Sequence, residues 1–384
     1  MPRFLWFIVL VGAGLMQTGC RRVSMPEPYL VPDPDPAVAA VFTWPVDSST
    51  PRVQRLFDRG MTHAYGHEWD EANRLLRKAI RLDSSCALCY WGLAYAARPA
   101  TPTVAMSHER RRLLALATQH ATAATPRDRA LIAVSRAVPA SDSVTASESA
   151  ALRLLHVQWP LDATVTVLYA EALLREAGWN AWDAEGLPRP TTVETLRLLE
   201  SVLERHPDHP GAQHLYIHIM EAQMPDVALD VARRLASHPS PVRHLRFLPA
   251  RIYLRVGRYH DASLALNGAL DSDGGSVPSC EMAGMGGGAW HYGELLWSSL
   301  VFEGRGADAR DAARRLAHYA ALDSLADPEN PRRPYLRSLP LLTLARFGDW
   351  ERVARQPEPS PERRVERSIW QFVQGVAAAR MGAR

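Results

Sequence analysis

Beyond its first twenty positions the sequence has no apolar run near the ~18 residues a bilayer-crossing helix needs, so no transmembrane segment is expected downstream. It also has no alternating β-branched runs bounded by hairpin turns, which removes the usual sign of a sheet. Its basic residues form no stripe with interleaved aromatics. The 44 Lys and Arg are balanced by 41 Asp and Glu, and the formal net charge is only +3. Short runs such as Arg110-Arg111-Arg112 and Arg363-Arg364 sit beside helix-patterned apolar residues, as on a solvated helix face. Nucleic acid is therefore not an expected partner. Three catalytic signatures are missing as well: the Walker phosphate loop, Gly-x-Ser-x-Gly and His-Glu-x-x-His. Gly284-x-Gly286-x-x-Ala289 copies part of a dinucleotide fingerprint, but no strand pattern precedes it and nucleotide binding is not expected.

What is present begins with the N-terminus. Arg3 is followed by an apolar stretch from Phe4 to Met16, long enough for an export signal but too short to span a bilayer. It ends in Gln17-Thr18-Gly19-Cys20, which resembles a bacterial lipobox, although Gln17 stands where an aliphatic residue is commonest. The resemblance implies that residues 1–19 are removed and that Cys20 carries the lipid. An ordinary signal peptide cleaved nearby, or an uncleaved anchor, is the alternative. Arg21 is not the aspartate associated with inner-membrane retention, which favours an outer-membrane, periplasm-facing location. From residue 20 to 51, Pro26, Pro28, Pro32, Pro34, Pro36 and Pro45 block regular helix and mark a tether.

Residues 52–384 carry a helical repeat. In Leu56-x-x-x-Gly60 … Trp69-x-x-Ala72-x-x-x-Leu76-x-x-Ala79, small residues stand where two antiparallel helices must approach closely. Gly60 and Ala72 are expected at the crossing, with Leu76 filling the gap, Trp69 packing the turn and Leu82-Asp83 ending the second helix. This is the tetratricopeptide (TPR) pattern, with Ser84 in place of its terminal proline. Tyr90-Trp91-Gly92-Leu93-Ala94 opens the next repeat. Ala228 and Ala262 are 34 positions apart, the period of this repeat class. Gly257-Arg258-Tyr259 marks a turn, and weaker echoes follow at Gly304 with Ala309 and at Gly348 with Val353. The segments 141–159 and 161–177 carry apolar residues at helical spacing. Two interruptions are expected: a loop at 178–190 anchored by Trp179 and Trp182, and a Gly-rich insertion at 272–288. The fold class is thus all-α, a right-handed TPR-like helical-hairpin solenoid whose concave face binds a protein or peptide partner.

From about Leu56 to Leu316 the sequence resembles a large family of bacterial TPR proteins, mostly of unassigned function. The likeness is carried by Cys86-Ala87-Leu88-Cys89-Tyr90-Trp91-Gly92, Leu168-Tyr169-Ala170-Glu171-Ala172-Leu173, Trp179-x-x-Trp182-Asp183, and His209-Pro210-Gly211-Ala212-x-His214-x-Tyr216-Ile217-His218-x-x-Glu221. The family pattern continues with His-Leu-x-His-Met-Pro-Ser-His-Ile and later Pro-His-Asn-x-His. Here His244 and His291 match, whereas Phe247 and Arg251 replace two histidines, Tyr292 replaces the asparagine and Glu294 falls at the last histidine. The resemblance implies no established reaction.

His214, His218 and Glu221 lie at i, i+4 and i+7, on one face of a helix. Two imidazoles one turn apart can share a metal ion, and a carboxylate can complete the set. His244, His291 and Glu294 could approach from neighbouring repeats, while His209, between prolines at a helix entry, is a poorer ligand. A mixed His/Glu set suits zinc, iron or copper, and Glu221 or Glu294 could instead serve as base toward a metal-bound water. Three alternatives stay open for this cluster: a metal site, a polar or partner-binding cluster in which Arg251 pairs with Glu221 or Glu294, and a metal-free small-ligand pocket. Cys86 and Cys89 form a Cys-x-x-Cys pair at a helix start, where the helix dipole lowers a thiol pKa. They read as a structural disulfide or two small buried residues ahead of a redox pair or half a metal site, and Cys280 is left over. The leading expectation is an exported lipoprotein scaffold. The alternative is a metal-dependent enzyme or metal-binding protein, and whether it is an enzyme stays open.

Overall fold

The computed structural model describes residues 42–97, 104–137, 146–238, 240–271, 289–322 and 332–382. The export signal, Cys20, most of the Pro-rich tether, the insertion at 272–288 and Cys280 lie outside the described residues. Seventeen helices are found among the described residues, with one isolated bridge between Trp182 and Pro188. They are α1 (Pro51–Tyr65), α2 (Trp69–Leu82), α3 (Ala87–Ala96), α4 (Val104–His120), α5 (Pro126–Ala137), α6 (Ala146–Gln158), α7 (Ala163–Glu176), α8 (Pro190–Arg205) and α9 (Pro210–Met220). Then come α10 (Leu229–Ser237), α11 (Arg243–Arg255), α12 (Tyr259–Asp271), α13 (Ala289–Phe302), α14 (Gly306–Leu322), α15 (Arg333–Arg346), α16 (Trp350–Ala354) and α17 (Arg364–Arg380). No helix among the described residues is long and apolar enough to cross a membrane.

Consecutive helices pack as antiparallel hairpins, and alternate helices stack beside one another: α1 on α3, α3 on α5, α9 on α11 and α11 on α13. The first hairpin closes on Gly60, where a Cβ would lie 2.8 Å from Leu76 Cγ; Ala72 and Leu76 are fully buried. Gly92 continues the same contact from α3, facing Leu76, Met61 and Phe57. Later hairpins turn on Gly257, Gly304 and Gly348, all with positive φ, and the small residues Ala228, Ala262 and Ala309 that follow the pattern are fully buried. The chain is therefore an all-α array of TPR-like helical hairpins.

One contact goes beyond a nearest-neighbour stack. α1 packs directly on α9. Gly211 permits this approach, because a Cβ there would lie 2.8 Å from the Tyr65 ring and 2.9 Å from Val167 on α7. Phe42 adds its ring at 4.7 Å from His209 and 5.7 Å from Tyr65. The turn after α1 is thereby placed against the starts of α9 and α11.

The end of the Pro-rich segment is part of this core. Trp44 is buried, its backbone N–H donates to Asp58 Oδ1 at 2.9 Å, and Gln54 Nε2 donates to the Trp44 carbonyl at 2.7 Å and to Asp58 Oδ1 at 2.9 Å. Burial pushes the Asp58 carboxyl up to about 6 despite those hydrogen bonds. The folded chain thus holds a proton that the unfolded chain, titrating at 3.8, releases first, so this group's contribution falls as pH rises from about 4 to 6. Asp58→Asn keeps an oxygen for both donors and loses the buried charge. It is expected to stabilise the fold by about 3 kcal/mol above pH 7 and by nothing near pH 4. Thermal unfolding at both pH values checks this, and equal Tm shifts at the two would contradict it.

Cys86 and Cys89 form a disulfide at the start of α3, with S–S 2.10 Å. Both are fully buried, and Cys86 caps the helix by accepting from the Cys89 N–H at 3.2 Å.

Candidate metal centre

His214 and His218 stand one turn apart on α9, and His244 lies in the first turn of α11. The α9–α11 stack turns the three imidazoles toward one point. His244 Nε2 is 3.1 Å from His214 Nε2 and 3.1 Å from His218 Nε2, and one ligand atom from each residue lies within 4.8 Å of the other two. Two nitrogens ~2.05 Å from one tetrahedral ion stand ~3.3 Å apart, so the two spacings to His244 match a shared cation, and the His214–His218 pair lies within 4.8 Å.

The outer nitrogens decide the protonation. His214 Nδ1 is hydrogen-bonded to the Tyr65 carbonyl, which can only accept, so Nδ1 carries the proton and Nε2 presents a lone pair. His244 Nδ1 lies 2.8 Å from the Tyr292 hydroxyl. Burial, with smaller contributions from neighbouring rings and Arg251, pushes the imidazoles below their ordinary range: His214 and His218 well below it and His244 to about 3. All three are neutral at pH 7. Without a cation, one proton on His244 would have to serve both Nε2 contacts. With a cation, three lone pairs point at it while two outer N–H groups are held by Tyr65 and Tyr292, the arrangement that fixes tautomer and ring orientation around bound metals. His214 is buried, whereas His218 and His244 keep part of their surface.

The other expected ligands are placed differently. Glu221 receives the Arg251 Nε–H at 2.6 Å, and Arg251 Nη1 lies 3.3 Å from His291 Nε2. Glu221 and His291 therefore stand in a carboxylate–guanidinium–imidazole chain beside the three histidines. The pairing offsets the charge of Arg251, which acts on both His218 and His244. Glu294 pairs with Arg332 at 3.2 Å. His209 is buried and accepts from the Ala212 N–H at the start of α9. Phe247 is fully buried and stacks on Tyr292 with ring centroids 3.6 Å apart, which holds the ring whose hydroxyl meets His244.

Sequence spacing did not point to the turn Gly66-His67-Glu68 between α1 and α2. Glu68 Oε1 accepts from the His244 backbone N–H at 3.2 Å, and Glu68 Oε2 lies 2.7 Å from His63 Nδ1. The His67 ring sits with its centroid 4.6 Å from that of His214. A histidine and a carboxylate beside the turn-packing Trp69 were the available signal. Gly66 admits this close approach, since a Cβ would fall 2.2 Å from Val242 Cγ1. Gly66→Ala is expected to cost about 1–3 kcal/mol through overpacking. Chemical denaturation would measure it, and an unchanged midpoint would mean that the turn does not dock on α11.

No family model matches the chain, and no curated protein matches it. Among solved structures it is similar to the TPR domain of P58(IPK), known from a crystal structure, at 11% identity over 85% of this chain and 99% of that one, with a TM-score of 0.21. The hairpin architecture stated above rests on this chain's own packing.

Proposed function

We propose that this chain is a metal-binding protein whose TPR-like array holds one ion on His214, His218 and His244. The observation that carries the proposal is the convergence of three neutral imidazole nitrogens, two of which have their outer nitrogens engaged at fixed partners. With Glu221 committed to Arg251, the donor set is all nitrogen. That favours zinc or copper over iron, whose common non-haem site includes a carboxylate. Both carboxylates considered as bases, Glu221 and Glu294, are engaged in ion pairs, and no reaction is proposed. The test is elemental mass spectrometry of the purified full chain after exposure to each ion and removal of excess. About one equivalent of zinc or copper is expected, and no retained metal would remove the proposal.

Hairpin arrays of this class generally mediate protein–protein interaction, and a protein or peptide partner is proposed alongside the metal. Export and lipid anchoring are proposed on the N-terminal pattern that ends in Gln17-Thr18-Gly19-Cys20. The envelope, with its periplasmic side favoured, is then where the metal is met.

A further inference from the structure

We infer that His67 is the fourth ligand of this centre, making it a four-imidazole site that holds a zinc- or copper-class ion and leaves no coordination position to water. The inference rests on the metal reading of His214, His218 and His244 and extends it to a residue on a different hairpin.

Three independent features single out His67. Its Nδ1 is buried and has no hydrogen-bond partner. A buried polar nitrogen without a partner is costly and calls for a reason. The ring lies edge-on to His214, with centroids 4.6 Å apart and planes at 75°, and stacks on Trp69 at 4.9 Å. The ligand atoms that already lie within 4.8 Å of one another are those of His214, His218 and His244, so the inference requires the His67 ring to leave its stack on Trp69 and swing toward them.

The backbone supplies the second feature. Four helix ends among the described residues share one closing pattern, in which the residue after a left-handed position donates back to the carbonyl five residues earlier. Arg258 donates to Tyr253, Arg305 to Leu300, Asp349 to Leu344 and Trp179 to Leu174, and the left-handed residue is Gly257, Gly304, Gly348 and Gly178 respectively. The end of α1 closes in the same way, with the Glu68 N–H donating to the His63 carbonyl, but the left-handed residue there is His67, at φ 59. Glycine occupies this position because a side chain is disfavoured in it. Keeping an imidazole where the fold elsewhere uses glycine is strain of the kind retained at working sites. Among the described residues, only Trp179 shares a positive φ without being glycine, at 61, and its ring meets His67 at 5.9 Å.

The third feature is anchorage. The residues flanking His67 are tied to both ligand-bearing helices: the Tyr65 carbonyl holds His214, and the Glu68 carboxylate receives the His244 N–H. The turn is thus fixed against the centre from both sides, as a ligand carried on a loop needs to be.

The test uses Co2+, whose visible spectrum reports coordination, on the full chain and on His67→Asn. Asparagine tolerates a left-handed backbone, so the metal-free variant should melt close to wild type. His67→Gly, which suits that backbone still better, serves as a second variant. Wild type should bind one Co2+ with a spectrum that millimolar azide leaves unchanged, since no position is open. The variants should bind Co2+ at least about 100-fold more weakly, since losing a ligand costs no less than losing a residue that supports a site from outside it, and azide should alter their spectra. Unchanged affinity in both variants, an azide response already present in wild type, or variant spectra that azide does not alter would overturn the inference while leaving the three-histidine site standing. A wild-type chain that binds no Co2+ would overturn both.

Discussion

Replacing His214 and His218 together by alanine is expected to take the metal content from about one equivalent to essentially none. The two nitrogens come from one helix, one turn apart, and their removal leaves His244 as the only member of the converging set. A ligand that binds the folded chain alone stabilises it by about 2.7 kcal/mol at a hundred times its Kd. Wild-type protein should therefore lose several degrees of Tm on chelation, and the double variant should show no chelator effect. The variant will also be less stable without metal. His214 is buried, and truncating it orphans the Tyr65 carbonyl at a cost of about 1–3 kcal/mol. His218→Ala, at a half-buried position, separates the effects by weakening metal binding with less damage to the fold. Elemental analysis with calorimetry in the presence and absence of chelator makes the comparison. Retained metal in the double variant would place the ion elsewhere.

Acid is expected to unfold the metal-free chain unusually early. Burial holds His209 to about 3, His244 to about 3 and His291 to about 4, and keeps His214 and His218 far below the ordinary value. In each case the folded state keeps the ring neutral while the unfolded chain takes up a proton near pH 6.5. Stability is thus fully present above about 6.5 and is lost as pH falls from there toward the folded values. Each ring contributes at most about 1.4 kcal/mol per pH unit in that window. Asp58 works in the opposite direction between about 6 and 4, but it is one group against several. His209→Asn isolates the effect outside the metal set, because asparagine can still cap α9 and does not titrate. Its unfolding free energy, measured in urea from pH 7.5 to 4.5, should fall less steeply than that of wild type. Parallel curves would mean that His209 is not held neutral by burial.

The fold was legible where small residues mark helix crossings. Gly60, Ala72 and Leu76 meet as their spacing requires, and Gly257, Gly304 and Gly348 turn the later hairpins. Local spacing also reveals which residues share a helix face, so His214 and His218 were readable as a pair, and stacking of first helices brought in His244. The same face carried Glu221, whose engagement by Arg251 had been one of the open alternatives and depends on a helix thirty positions away. His67 and Glu68 were not legible as parts of the site. Their hairpin reaches the centre only because α1 packs on α9, and the Tyr65–His214 bond that records this spans 149 positions. No periodicity encodes such a closure. Gly66 and Gly211, which make room for it, look in the sequence like ordinary helix-end glycines.

The most direct test is a crystal structure of the zinc- or copper-loaded chain with anomalous scattering recorded at the metal edge. The expected result is one peak about 2.0–2.1 Å from the Nε2 atoms of His214, His218 and His244, with Tyr65 and Tyr292 still holding two of the rings from outside. Three histidines joined only by hydrogen bonds, with no anomalous peak between them or with the peak at another site, would contradict the metal centre outright.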